Sequence, residues 1–501
     1  MAGFARECCC SEINSFMNDP RLLSETGEVV PGRRLSVGIV ALSQIPDDPR
    51  VRRQGDAFSR AGWDVVGIGL AGSQSPPPDW PLLDESNLVS LQGGGALIGA
   101  SLADPIAPLW ATDERSRSGT AAPKQSARES KKDGSDSRRR AWEVAENTCR
   151  IAARYAGLGW IKRQAFRRLG QIRYVTRMQA PRLWPKSAER TFWLLNSRFG
   201  DLYSLGKMQR PDVWLANDWT ALPIARRLAQ ESGAVLVYDT HELAADEYTE
   251  KLRWRLLHRP VTVAIERECI KEAALVTCVS DGIADRLMEL YELRERPVVI
   301  RNTPSYQEMP FRGTGEIIKV LYHGIVAPGR GLEECIRSVS LWRPEFNLTI
   351  RGPALAEYYD ALNRLMFEVG VQDRVSLVPA VPMVDLVREA NAFDVGLFAL
   401  PNHSLHNRFA LPNKFFEYTM AGLALCVSDL PEMARLIKTF DHGRLFTGMD
   451  PSVIAATINS LDHVVIEQYK RRSLDAAREL NWQKESERLV SACTHLATNG
   501  R

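Results

Sequence analysis

Residues 403–422 read HSLHNRFALPNKFFEYTMAG. An apolar run, FDVGLFAL (393–400), precedes them, and a second, LALCVS (423–428), follows. Each has the length and composition of a buried parallel strand. The segment between them predicts a short amphipathic helix opening near Pro412 and Asn413, since Pro suits the first helical turn and Asn suits the cap. Lys414 and Glu417 are three apart and share a helix face, with Phe415, Phe416 and Met420 free to pack beneath. A helix start beside the carboxyl end of a strand is where open α/β sheets receive phosphorylated ligands. Lys414 suits a phosphate, Asn413 lies beside it, and Glu417 suits ribose hydroxyls. The plain alternative is a helix whose Lys and Glu are surface residues.

The rest of the chain has the rhythm of α/β domains. The 501 residues suffice for two or three domains, and the net charge of +3 makes no demand for nucleic acid. Nine cysteines lack zinc-like spacing, and together with the absence of an apolar core in the first thirty residues they suggest a reducing cytoplasm. Residues 1–32 read as a disordered tail, with Cys8, Cys9 and Cys10 adjacent in it. LSVGIVAL (35–42) is the first clear strand, followed by a helix over 50–61 and a strand over 64–70, a βαβ unit without a Gly-rich fingerprint. Asp48 caps that helix, with Arg50 and Arg52 in its first turn.

Residues 73–200 read as an insertion. Within it 113–140, DERSRSGTAAPKQSARESKKDGSDSRRR, is too poor in apolar residues to order. Residues 141–200 are helical and basic, with Trp142, Trp160, Trp184 and Trp193 among the arginines. That combination suits an anionic membrane surface or a helical pair with Trp inside and Arg outside. The strands PDVWLAND (211–218) and AVLVYDTHE (234–242) end in Asp218 and in His241-Glu242, polar groups at the ligand-binding edge of a sheet. A first domain over 33–302, a linker over 303–318, a second domain over 319–480 and a terminal helical segment over 481–501 complete the organisation. The second domain opens with KVLYHGIVAPGRGL (319–332), where Gly324, Gly329 and Gly331 expose backbone N–H groups and Arg330 adds a fork of donors for a diphosphate.

LPNKFFEYTMAGLALCVSD (411–429) resembles the nucleotide-sugar motif of the retaining glycosyltransferases of family 4, which have the GT-B fold: two doubly wound, Rossmann-like α/β domains with a cleft between them. The resemblance extends to Asp48-Pro49-Arg50-Val51, to Asp218 and His241-Glu242, to Arg330-Gly331, and to Gly352 with the turn over 378–382. It implies a nucleoside-diphosphate sugar as donor, no metal or other cofactor, and a glycan or lipid-linked acceptor, as in cell-surface polysaccharide or glycolipid synthesis. It implies Glu417 on the ribose, Arg330 and Lys414 on the diphosphate, and Gly324, Gly331, Gly352 and Asn413 lining the nucleotide site. Asp218 and His241 would stand at the reacting centre, and Asp48, Arg50, Arg52 and Glu242 on the acceptor side. The sequence departs from the motif twice, with Phe409 where a Glu is usual and Ile325 where an Arg is usual. The expected place is the cytoplasm, peripheral on the inner face of the plasma membrane. A nucleotide-sugar epimerase and a non-catalytic partner protein on the same fold are the rival readings.

Overall fold

The computed structural model describes residues 33–91, 174–176 and 178–499. The expectations for the tail, for 113–140 and for the basic tract up to 173 lie outside these residues. Two parallel sheets organise the rest. The first has seven strands in the order β3-β2-β1-β4-β5-β6-β7. These are β1 (Ser36–Ala41), β2 (Asp64–Ile68), β3 (Leu82–Leu83), β4 (Val213–Asn217), β5 (Val235–Thr240), β6 (Leu275–Cys278) and β7 (Val298–Val299). The second has six, in the order β10-β9-β8-β11-β12-β13. These are β8 (Ile318–His323), β9 (Phe346–Arg351), β10 (Val375–Val378), β11 (Val395–Phe398), β12 (Ala424–Ser428) and β13 (Gly443–Phe446).

In each sheet the strand order reverses once, between β1 and β4 and between β8 and β11. Crossover helices diverge at such a point and leave a crevice at the carboxyl ends of the strands. β1 and β4 are fully buried apart from Ser36, as the central strands of a sheet covered on both faces must be. Helix Pro49–Arg60 starts as expected, with the Asp48 side chain accepting from the backbone N–H groups of Arg50 and Val51. Helix Asn413–Met420 also forms, but its cap is Pro412, no side chain caps it, and Asn413 is its first helical residue.

Part of the segment read as an insertion belongs to the first domain. Leu82–Leu83 pairs with β2 as an edge strand too short to carry a period of two. Helices Ala188–Trp193 and Arg198–Gly206 deliver Phe192, Phe199, Leu202 and Leu205 to the core that also holds Trp214 and Tyr238. Phe192 and Phe199 stack at 4.1 Å. The last helix, Trp482–Asn499, packs on helix Pro49–Arg60 and β5 of the first domain and brings Trp482, Leu489, Cys493 and Leu496 into the core shared with β1 and β4. The Trp482 indole donates to the Arg53 carbonyl, and Arg301 pairs with the buried Glu485 at 2.9 Å.

Beneath the switch point of the first sheet lies an ion pair. Arg50 donates from Nε and Nη2 to the two carboxylate oxygens of Asp239, each at 2.6 Å, and both groups are out of reach of solvent. Asp239 also accepts from Gln54 and Thr277, and Arg50 reaches the Ile300 carbonyl. Removing one partner of a buried pair strands the other charge, at about 3–5 kcal/mol. Arg50→Met therefore lowers the unfolding free energy of the first domain by about that much. The Arg50→Met/Asp239→Leu double variant recovers part of the loss. Urea unfolding followed by tryptophan fluorescence measures both, and a single variant as stable as wild type overturns the assignment.

Candidate functional site

The carboxyl ends of β8 and β11 and the start of helix Asn413–Met420 meet at the second switch point. Lys414 is buried there with Nζ 3.2 Å from the Tyr322 hydroxyl and 4.4 Å from the ring centroids of both Tyr322 and Phe398. Burial, then the charge of Arg330, holds the Lys414 ammonium down to about 7, against the pull of Glu417. One turn on, Glu417 Oε2 lies 2.8 Å from His323 Nε2. Burial by itself would raise the Glu417 carboxyl; His323, Lys414 and Arg53 outweigh it and hold the group below its usual range. His323 and Arg53 are thus parts of the site that the motif did not mark. For His323 a signal existed, because it ends a strand directly before Gly324.

The glycines make the floor of this site. Gly324 has φ 127°, and a Cβ there would stand 2.9 Å from Lys414 Nζ. Gly352 has φ 156°, and a Cβ would fall 1.8 Å from the Gly324 carbonyl oxygen. No side chain fits at either position, so the ends of β8 and β9 come together as bare backbone. Gly331 caps helix Leu332–Val339 in the left-handed conformation, and Arg330 is exposed just before it.

Facing this is the edge of the first sheet. Asp218 follows β4 with φ 64°, a conformation Asp tolerates better than most residues. Its carboxylate is 3.6 Å from His241 Nδ1, and His241 Nε2 is 3.4 Å from Asn217 Oδ1. Burial raises the Asp218 carboxyl to about 6, with His241 opposing and Glu242 adding to the rise. A cavity of about 470 Å³ is lined by Asp48, Asp218, His241 and Glu242 from the first domain and by Asn413 from the second. Asp218, His241, Glu242, Asp48 and Asn413 are therefore gathered in one place, with Lys414 next along the chain.

Two of the arginines expected on the acceptor side are not free to serve there. Arg50 is among the residues that line the cavity, but its guanidinium is committed to Asp239, because that carboxylate is buried and needs a counter-charge. Arg52 turns outward along its helix to Asp56 and the Pro76 carbonyl. Phe409, in the motif position where a Glu is usual, packs on the first domain. Its ring packs so closely on Gly282 of the first domain that a Cβ there would lie 2.2 Å from it. Ile325, the second departure, is exposed. A link across the cleft comes instead from His406, in helix Leu405–Phe409, whose Nε2 is 2.9 Å from the Glu242 carboxylate. Burial lowers the His406 imidazolium, but Glu242 outweighs it and the group titrates above its ordinary range. Among the described residues no group of three or more His, Cys, Asp or Glu side chains is placed to hold a metal ion.

Residues 137–303 match the model of a glycosyl transferase 4-like domain. The match begins well inside the segment read as an insertion, in agreement with the core residues that 188–206 contribute. No curated protein sequence matches the chain. The structure is similar to that of sucrose-phosphate synthase from Thermosynechococcus elongatus, with a TM-score of 0.60, 12% identity, and 93% of this chain and 100% of that one covered. A glycosyltransferase from Rickettsia africae gives a TM-score of 0.56 at 9% identity over 93% and 100% of the two chains. HepE from Anabaena, in complex with UDP and glucose, gives 0.55 at 12% identity over 92% and 100%. At such identities the likeness is one of fold, and with the domain match it gives the chain the two-sheet architecture of the GT-B glycosyltransferases.

Proposed function

We propose that the protein is a retaining glycosyltransferase of the family 4 type, which moves a hexosyl group from a nucleoside-diphosphate sugar to a glycan or lipid-linked acceptor. What supports this above all is the convergence of Lys414, Glu417 and the Gly324–Gly331 turn opposite Asp218 and His241. The two sets lie at the switch points of two sheets that face each other. HepE, of the same fold, is described in complex with UDP and glucose, and a nucleoside diphosphate suits the second-domain wall here. Gly324 and Gly352 let phosphate oxygens approach backbone, Asn413 stands at the helix start, Glu417 accepts from the ribose hydroxyls, and Arg330 and Lys414 face the diphosphate. As the bond from the sugar to the phosphate breaks, negative charge grows on the leaving group, and fixed cations stabilise that state more than the ground state. On the opposite wall burial raises the Asp218 carboxyl to about 6; with retention the acceptor hydroxyl attacks on the face that the phosphate leaves and gives its proton to that phosphate, so Asp218 helps to place the acceptor. His241 orients that hydroxyl, with Glu242 and Asp48 lining its approach. None of these steps needs a metal.

Incubation with a panel of sugar nucleotides, with and without glycan acceptors, should release nucleoside diphosphate from one of them. The Arg330→Ala variant should lose roughly 2–4 kcal/mol of barrier lowering while binding donor nearly normally. The Glu417→Gln variant should bind donor about ten- to a hundredfold more weakly, the loss of a charged hydrogen bond. If neither variant changes donor binding or turnover, the nucleotide site is elsewhere. If no sugar nucleotide binds, the chain is a non-catalytic partner built on the fold.

A second expectation follows from Lys414, whose ammonium is held at about 7. A bound diphosphate favours the charged form and raises that value. Near pH 8 the free lysine is mostly neutral, so binding takes up a proton, and affinity falls as pH rises above 7 by up to about tenfold per unit. Calorimetric titration of a nucleoside diphosphate in buffers of different ionisation enthalpy reads the uptake directly. Lys414→Met should abolish it; uptake that persists in this variant assigns the proton to another group.

A further inference from the structure

Away from the cleft, the first domain carries an apolar surface built from two separate segments. One is the helical stretch up to Trp184, and the other is the turn over 248–258. They are tied together by Gln179 Nε2, which donates to the Leu256 carbonyl at 2.6 Å, and by Tyr174, whose hydroxyl lies 3.4 Å from His258 Nε2. Val175 and Leu183 stand one helical turn to either side of Gln179, and so on the helix face that meets Leu256. Trp254 and His258 turn inward and stack at 5.4 Å. The π-helical turn Trp254–His258 therefore presents Arg255 and Leu256 outward, next to Leu252 and Arg253. The exposed side chains are large: Leu183 66%, Trp184 66%, Leu252 61%, Leu256 49% and Val175 41%. Around them stand Arg182, Lys186, Arg190, Arg253 and Arg255, all exposed. Glu250 is the exposed acid of the 248–258 segment, and Glu189 is drawn toward Arg226.

We propose that this face of the first domain rests on an anionic lipid bilayer, with Trp184, Leu183, Leu252 and Leu256 entering the interface and the surrounding Arg and Lys meeting lipid phosphates. Contiguous exposed apolar side chains mark an interaction surface. A ring of cations around an apolar centre that includes an indole matches the headgroup region of a negatively charged membrane. The charges around the apolar side chains are almost all positive, which favours an anionic lipid surface over an apolar protein partner. No described helix is long and apolar enough to cross a membrane, so contact here is peripheral. The place fits the proposed reaction. Glu242 lines the cavity, and a short step along the chain leads past Asp246, buried and fixed by Arg259 and Arg286, into Leu252 and Arg253. A lipid-linked acceptor held in the bilayer would reach the acceptor wall from that side. Membrane contact itself does not depend on the glycosyltransferase reading.

The test is flotation of the full chain, without sugar nucleotide, on vesicles of phosphatidylcholine alone and with phosphatidylglycerol added. The protein should float with the anionic vesicles and not the neutral ones. Each of Lys186→Ala and Arg255→Ala should weaken binding about fivefold, and salt should weaken the wild type. Leu252→Glu/Leu256→Glu should abolish flotation, while Val464→Glu, equally exposed but on the second domain, should leave it intact; matching melting curves confirm that all the variants fold. Brominated lipid should quench tryptophan emission in wild type and much less in Trp184→Phe. Equal recovery with both vesicle types, flotation unaffected by Leu252→Glu/Leu256→Glu, or equally tight binding to a soluble polyanion overturns the proposal. Proof that the site is not a glycosyltransferase centre would leave flotation unchanged.

Discussion

A bidentate ion pair sealed beneath a sheet edge sets the geometry of the first domain. Arg50 comes from the start of helix Pro49–Arg60, Asp239 from the middle of the sheet, and the Ile300 carbonyl from the segment leaving β7. Burial acts against the charge of each partner, and each restores the other: the Asp239 carboxyl is held low and the Arg50 guanidinium high. Fixing the first turn of that helix also fixes Asp48, which caps it, and the loop over 43–48, which lines the cavity. The ion pair thus fixes one wall of the site, with the Arg50 guanidinium turned to Asp239.

The second constraint is how the domains are joined. The contacts lie on both flanks of the cleft. On one, Phe409 is seated on Gly282, the Phe409 carbonyl accepts from Ser280, and the buried Glu432 carboxylate accepts from the Gly282 N–H at 2.8 Å. That N–H belongs to the first turn of helix Asp281–Tyr291, where a carboxylate is favoured by the exposed backbone donors. On the other, Trp482 carries the last helix back onto helix Pro49–Arg60 while its indole holds the Arg53 carbonyl. Arg53 in turn reaches Asn302 and Thr303, at the crossing between the domains. The residue that departs from the family motif at 409 is thus used for domain docking. The cross-cleft polar contact is taken by His406 and Glu242 instead.

The strands and main helices were legible because their signals are local. Apolar runs fold as β1, β4, β5, β8 and β11, and Lys414 and Glu417 share a helix face from spacing alone. What was not legible depends on partners distant in sequence. An Arg after Asp-Pro at a strand end looks the same whether it faces a ligand or the interior. Asp239, 189 residues on, decides it. The departure at Phe409 is visible in the sequence, but the direction of its ring is set by the room that Gly282 leaves. Leu82–Leu83, and the part that helices Ala188–Trp193 and Arg198–Gly206 take in the core, were hidden for a different reason. Two residues have no period, and a basic, Trp-containing stretch reads as surface until Phe192 and Phe199 are seen stacked in the core.

The two walls of the cleft differ in sign, and this has a consequence for the proposed reaction. The second-domain wall offers Arg330 and Lys414; the first-domain wall offers Asp48, Asp218 and Glu242. A diphosphate placed against the first wall would meet carboxylates at short range, where like charges repel by several kcal/mol at the effective dielectric of a protein surface, about 20. Against the second wall it meets cations and bare backbone. The same asymmetry bears on the lysine. With no ligand bound, the Lys414 ammonium is disfavoured by burial and by Arg330, so its charge at neutral pH is partial. In the proposed reaction the donor phosphate would supply the missing counter-charge. Glu417 has His323 at 2.8 Å as well as Lys414 beside it, so the lysine shares its carboxylate with the histidine. In the proposed reaction, a substitution that frees Glu417 from His323 would therefore leave the carboxylate to Lys414 and act on the phosphate contact as well as on the ribose contact.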